Sequence, residues 1–238
     1  GGVRDGLRQA EYPSEFLHYS WQTGLGVLAD QNASVDYKRG KARELARQVR
    51  DYQRQHPGRP VDVIGLSAGT ALAVFTLEEL SPSAPVDNVV LLGSSLSAHY
   101  NLTRALERVN GRFYVFVSDK DDILKTFVPL TGTADRERCG ACAAGLLGFH
   151  WPPQADIRLA RLYSKVENVY WRPEFARSGN LGGHTDSVNA AFVRDFIAPL
   201  FIQLGPRFRE AGQQPVVLGA DGEPRVSVRF SEICAADH

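Results

Sequence analysis

The chain has 238 residues, and its 27 Lys+Arg balance 27 Asp+Glu to a formal net charge of zero. This length fits one domain able to bury roughly 70% of its unfolded surface, and 43% hydrophobic with 23% charged residues excludes wholesale disorder. The neutral balance argues against a nucleic-acid partner, which calls for a basic stripe, and the longest apolar run, Ala68 to Leu77, stops at Glu78-Glu79, too short for a transmembrane helix.

In chain order, Gly1 to Ala10 has helical spacing, with Val3, Leu7 and Ala10 on one side. Glu15 to Ser20 reads as a strand and Gly24 to Tyr37 as a polar loop. Lys41 to Arg54 is the clearest helix: Ala42, Leu45, Ala46, Val49 and Tyr52 form one stripe, and His56-Pro57-Gly58 ends it. Val61 to Ile64 is a short β-branched strand, and the nearly all-apolar helix Ala68 to Leu80 after it must be buried. Val86 to Leu92, Phe113 to Val117 and Val166 to Trp171 read as further strands, Leu102 to Val109 as a helix, and Ser187 to Leu204 as a long amphipathic helix.

Short, continuously apolar strands alternating with helices predict an α/β fold with a mainly parallel sheet covered on both faces. The expected domain covers residues 1–205. Residues 206–238 read as a C-terminal extension, with a hairpin over Val216 to Val228 around Asp221-Gly222.

Three cysteines are an odd count, and Cys139 and Cys142 form a lone CxxC, read here as ordinary loop thiols. No cofactor and no metal are expected. The chain lacks Met and opens Gly1-Gly2, so a preceding piece is expected to have been removed, and any targeting signal would lie in it. The compartment is left open, with a lean to the cytoplasm.

Gly65-Leu66-Ser67-Ala68-Gly69 matches GxSxG. With 22 Gly and 15 Ser, chance gives about 0.13 such matches, so the flanking elements carry the weight. A strand runs into the motif and a buried helix runs out of it. A turn that sharp needs small residues on both sides, and it lifts the Ser67 hydroxyl clear of the backbone. The helix directs its first N–H groups, that of Ala68 among them, at the place where an oxyanion would develop. The plainer alternative is a glycine-rich turn with an inert serine.

A serine nucleophile needs a base, and the base an orienting carboxylate. The strand Phe113 to Val117 ends in Ser118-Asp119-Lys120-Asp121-Asp122-Ile123, which offers three acids. Asp121 is preferred because Ile123 lets the loop turn back into the protein; Asp119 and Asp122 stay as rivals. Among six histidines, His184 in Gly182-Gly183-His184 follows the last strand, where two glycines allow close approach to the nucleophile. His150, also downstream of Asp121, is its rival.

On these residues, in the order nucleophile, acid, base, the chain resembles the α/β-hydrolase superfamily of esterases, lipases and related enzymes over about residues 1–204. The resemblance implies cleavage of a carboxylic ester, lipids or other apolar acyl esters among the candidates, through an acyl-enzyme on Ser67. His184 would move the proton and Asp121 hold the imidazole. The implied partner is a small-molecule ester; the oligomeric state is not legible.

Two features depart from the family. Its members usually carry an HG-type loop upstream that supplies a second oxyanion donor, of which Gly1-Gly2 would be the stump, and Leu66 stands where many members have His. The sheet is accordingly expected to lack N-terminal strands. Lys125 to Pro153 is read either as an apolar cap over the site or as packing on the sheet edge. A catalytically degenerate binding protein and an acyltransferase with the same triad are the competing readings.

Overall fold

The computed structural model describes residues 2–13, 15–19, 34–153 and 155–202. Its four strands, β1 (Val63–Leu66), β2 (Val89–Leu92), β3 (Phe113–Val117) and β4 (Val166–Tyr170), form one sheet in that order. Every pairing is parallel, and Val63, Val89, Phe113 and Val166 lie in one row across it. The sheet is parallel throughout, as the alternation of strands and helices predicts.

The continuous apolarity of the strands follows from burial on both faces. Along β3 the pleat sends Phe113, Val115 and Val117 to one side and Tyr114 and Phe116 to the other. The first side meets the helix Gly69–Glu79, buried from Thr70 to Glu78. Behind that helix lies Val35–Gln55, whose Ala42 and Ala46 are small enough to let the two backbones approach. The opposite face is filled by Phe175, Phe192, Val193 and Ile197, with Leu7 of the first helix, Gly2–Gln9, packed among them. Phe116 meets Phe192 edge to face at 5.7 Å between ring centroids, a geometry worth about 0.5–1.5 kcal/mol beyond burial.

Several boundaries move. Among the described residues, Glu15 to Tyr19 pairs with no strand; Phe16 instead packs against the second core cluster under Arg4. Ser20, like residues 24–33 of the expected loop, lies outside the described residues. The helix expected from Lys41 starts at Val35, because the Ser34 hydroxyl accepts from the Tyr37 amide and caps it. Within Val86 to Leu92, Val86 makes only an isolated bridge to Val109, and that bridge stops the Leu102–Val109 helix at Leu106. The last helix begins at Ala190 after a 3-10 turn at Asp186–Val188, and widens to a π turn over Val193–Ile197.

Cys139 and Cys142 are not free thiols: they form a disulfide with their Cα atoms 5.6 Å apart. The expected hairpin and the whole of 206–238 lie outside the described residues. Within Lys125 to Pro153, Asp122–Thr131 is a helix, and Leu124, Val128, Ala143 and Leu146 form their own small cluster. Phe149 is pinned to β4 by paired hydrogen bonds with the Asn168 side chain and packs on Phe113. The Phe149 end of the segment therefore packs on the sheet.

Candidate active site

Parallel strands put all their carboxyl ends on one edge, where α/β proteins bind ligands. Ser67 follows β1, Gly93 follows β2, Asp121 follows β3 by four residues, and His184 lies on the connection from β4 to the last helix.

Ser67 has φ +54°, a left-handed conformation rarely adopted by a side-chain-bearing residue. The turn is held on both sides: the Ser67 amide donates to the Leu92 carbonyl, and the Ser67 carbonyl accepts from the Thr70 amide at 3.0 Å. Gly65 is required here, since a β-carbon would lie 2.9 Å from the Thr70 Cα and 3.0 Å from the Gly69 carbonyl. Strain of this kind, of order 1–3 kcal/mol, persists where surrounding contacts impose it and clusters at active sites. Ala68 occupies the N-cap position of the helix Gly69–Glu79. The first amides of a helix have no intrahelical acceptor, so they can serve an anion.

The structure brings together the three residues singled out in the sequence. His184 Nε2 lies 2.7 Å from Ser67 Oγ, and His184 Nδ1 lies 2.7 Å from Asp121 Oδ2. A carboxylate accepts, so Nδ1 carries the proton and Nε2 is left to accept from the Ser67 hydroxyl. His184 and Asp121 are both buried, at 8% and 2% exposure, which keeps water from competing for these bonds. Asp121 is also the N-cap of the helix Asp122–Thr131: its Oδ1 accepts from the Leu124 amide at 2.9 Å. One carboxyl oxygen thus anchors the side chain while the other faces the imidazole.

The rivals lie elsewhere. Asp119 is exposed, and Asp122 is an exposed partner of Lys125. His150 is exposed and sets its ring edge-on against His99. Leu66 packs against the second core cluster, and Gly2 lies in the first helix, where a β-carbon would overlap the Val188 carbonyl.

Several supporting residues were not found by sequence reasoning. Gly93, at φ +53°, packs against the His184 ring. The Ser118 hydroxyl donates to the Gly182 carbonyl at 2.7 Å, tying the acid loop to the histidine loop. Asp186 Oδ2 accepts from the Leu181 and Gly183 amides and so shapes the turn before His184. Lys120 Nζ sits 3.1 Å over the Trp171 ring, whose indole N–H donates to the Asn180 carbonyl. A small cavity lined by Gly93, Phe116, Asp121, Phe175 and His184 borders the imidazole and the acid, and Ser67 is not among its lining residues. Among the described residues, no cluster of three or more His, Cys, Asp or Glu could hold a metal ion, and no helix is long and apolar enough to cross a membrane.

Residues 20–131 match the family model described as Alpha/beta hydrolase. The match covers just under half of the chain; with the parallel sheet and its flanking helices, it supports an α/β-hydrolase superfamily assignment. The matched range contains Ser67 and Asp121 and ends before His184. No curated protein and no solved structure matches the chain. The superfamily points to a hydrolase-type function on a small-molecule substrate.

Proposed function

We propose that the chain is a serine hydrolase that cleaves carboxylic esters through an acyl-enzyme on Ser67. The observation that carries this reading is the continuous contact from Ser67 Oγ through the His184 ring to Asp121, with 2.7 Å at each step.

In the first half-reaction Ser67 Oγ attacks the ester carbonyl carbon while its proton passes to His184 Nε2. The imidazolium keeps its Nδ1 proton bonded to Asp121, which holds the ring in place as the charge develops. The carbonyl oxygen becomes an oxyanion and takes the Ala68 N–H, the amide immediately after the nucleophile. The tetrahedral adduct collapses, the C–O bond to the alcohol breaks, and His184 returns its proton to the departing oxygen. Water then repeats the sequence with His184 as base, releasing the acid and restoring the Ser67 hydroxyl.

The direct test is hydrolysis of p-nitrophenyl esters of graded acyl length. Wild type turns them over and Ser67→Ala loses the activity by a factor on the order of 10⁶, down to background. Equal turnover by both proteins would contradict the proposal. A preference for longer acyl chains would place the substrate among apolar acyl esters; release as transfer to an added alcohol, with little free acid, would favour an acyltransferase.

A further inference from the structure

The peptide that joins Ser67 to Ala68 has two polar ends. Its N–H is the proposed oxyanion donor. Its carbonyl, that of Ser67, accepts from the Thr70 amide at 3.0 Å and also from the Thr70 hydroxyl at 2.6 Å. The Ser94 hydroxyl, from the loop that follows β2, lies 3.0 Å from the same Thr70 oxygen. Both side chains are fully buried, Thr70 and Ser94 at 0% exposure.

The direction of this chain is fixed by its chemistry. A carbonyl oxygen can only accept, so the single Thr70 hydroxyl proton points at the Ser67 carbonyl. The Ser94 hydroxyl must then be the donor to Thr70.

A trans peptide is planar, with C=O and N–H pointing opposite ways. Two donors on the Ser67 carbonyl therefore also set the direction of the Ala68 N–H. Hydrogen bonds in series polarise one another, so the load on the carbonyl makes that N–H a stronger donor. The backbone most needs this at Ser67, which sits at φ +54°.

We infer that Thr70 is a positioning residue: the Ser94–Thr70 hydroxyl pair clamps the Ser67 carbonyl and thereby aims and strengthens the Ala68 N–H toward the oxyanion. This inference rests on the reading of Ser67 as nucleophile.

The test compares Thr70→Val, which keeps the shape and removes the hydroxyl, with Thr70→Ser, which restores it, and with Ser94→Ala. Each is assayed for kcat and KM on a p-nitrophenyl ester, for the rate of inactivation by a fluorophosphonate, and for thermal unfolding. Removing an oxyanion donor outright costs about 10²–10³ in kcat, and a misaimed donor costs less. The expected result for Thr70→Val is a fall in kcat on the order of tenfold with KM within about twofold, and a parallel fall in inactivation rate. Thr70→Ser should return close to wild type, and Ser94→Ala should fall between them.

A Thr70→Val protein with lower thermal stability but unchanged kcat would overturn the inference, leaving the hydroxyl with a purely structural role. A rise in KM with kcat unchanged would overturn it too. If Thr70→Val does not fold, Ser94→Ala decides: lower kcat at unchanged KM supports the inference, and wild-type kcat overturns it. A wild type that fluorophosphonate does not modify would defeat the nucleophile reading and this inference together, whereas a reactive wild type with an unaffected Thr70→Val defeats this inference alone.

Discussion

Gly93 stands beside the imidazole of His184 with no room between them for a side chain. A β-carbon at residue 93 would stand 3.2 Å from His184 Nδ1 and 3.3 Å from Cε1, and the backbone there has φ +53°. The residue after β2 thus leaves little room for a side chain beside the ring, and glycine suits both the conformation and the space.

Gly93→Ala should therefore act on turnover more than on binding. Pushing the ring by a fraction of an ångström separates Nε2 from Ser67 Oγ, and misplacements approaching 1 Å cost up to about 10² in rate. We expect kcat to fall by about 10–100-fold with KM little changed, and stability to drop by roughly 1–2 kcal/mol from the left-handed backbone. Steady-state kinetics and a melting curve on the same preparation check both parts.

Asp121 makes two separable contacts, and they predict different responses. Asp121→Asn keeps an acceptor for the Leu124 amide, so the helix Asp122–Thr131 should stay capped and Tm should change little. It cannot hold the Nδ1–H tautomer as a carboxylate does, so kcat should fall by about 10⁴. The matching Asp119→Asn and Asp122→Asn variants should stay within a few-fold of wild type. A larger loss in either of those than in Asp121→Asn would reassign the acid.

Glu167 on β4 predicts a pH effect on stability. Burial raises its pKa above the ordinary 4.5, and Arg112 offsets this only in part. In the folded state the carboxyl therefore holds its proton to higher pH than in the unfolded chain. Its contribution is fully present below the unfolded value and is lost as pH rises through the folded one. Glu167→Gln should remove that loss: the variant should melt higher than wild type at pH 7, and the gap should close as pH falls toward 4.5. Paired melting curves across that range test the sign.

The disulfide between Cys139 and Cys142 predicts a thiol count. The sequence has three cysteines. Under denaturing, non-reducing conditions one thiol should titrate, that of Cys234, and three should titrate after reduction. Closing so short a loop restricts the unfolded chain by about 2 kcal/mol on the entropic account. A dithiol reductant should lower Tm accordingly.

The legible parts of the sequence were those written in local pattern. β3 shows in its five apolar residues, Phe113–Val117, because a strand buried on both faces needs no alternation. The turn at Ser67 shows because Gly65 and the helix after it are consecutive in the chain. The position of His184 shows through Gly182-Gly183 ahead of the last helix. What stayed hidden depends on partners distant in sequence. Nothing around Gly93 announces that an imidazole 91 positions later rests on it. Ser118 reads as a turn serine until Gly182 is placed beside it. Glu15 to Tyr19 has strand-like residues but, among the described residues, no strand beside it to bond with. The start of the helix at Val35 turned on a single cap, Ser34, which the polar residues around it concealed.

The central claim is that one hydroxyl among fifteen serines is made reactive by His184. The measurement that tests it most directly is modification by a fluorophosphonate followed by peptide mapping, on wild type and on His184→Ala. The account predicts a single modified serine, Ser67, in wild type and none in His184→Ala, because without the imidazole the Ser67 proton has no acceptor. Modification of a different serine, or of Ser67 at an equal rate in both proteins, would contradict it.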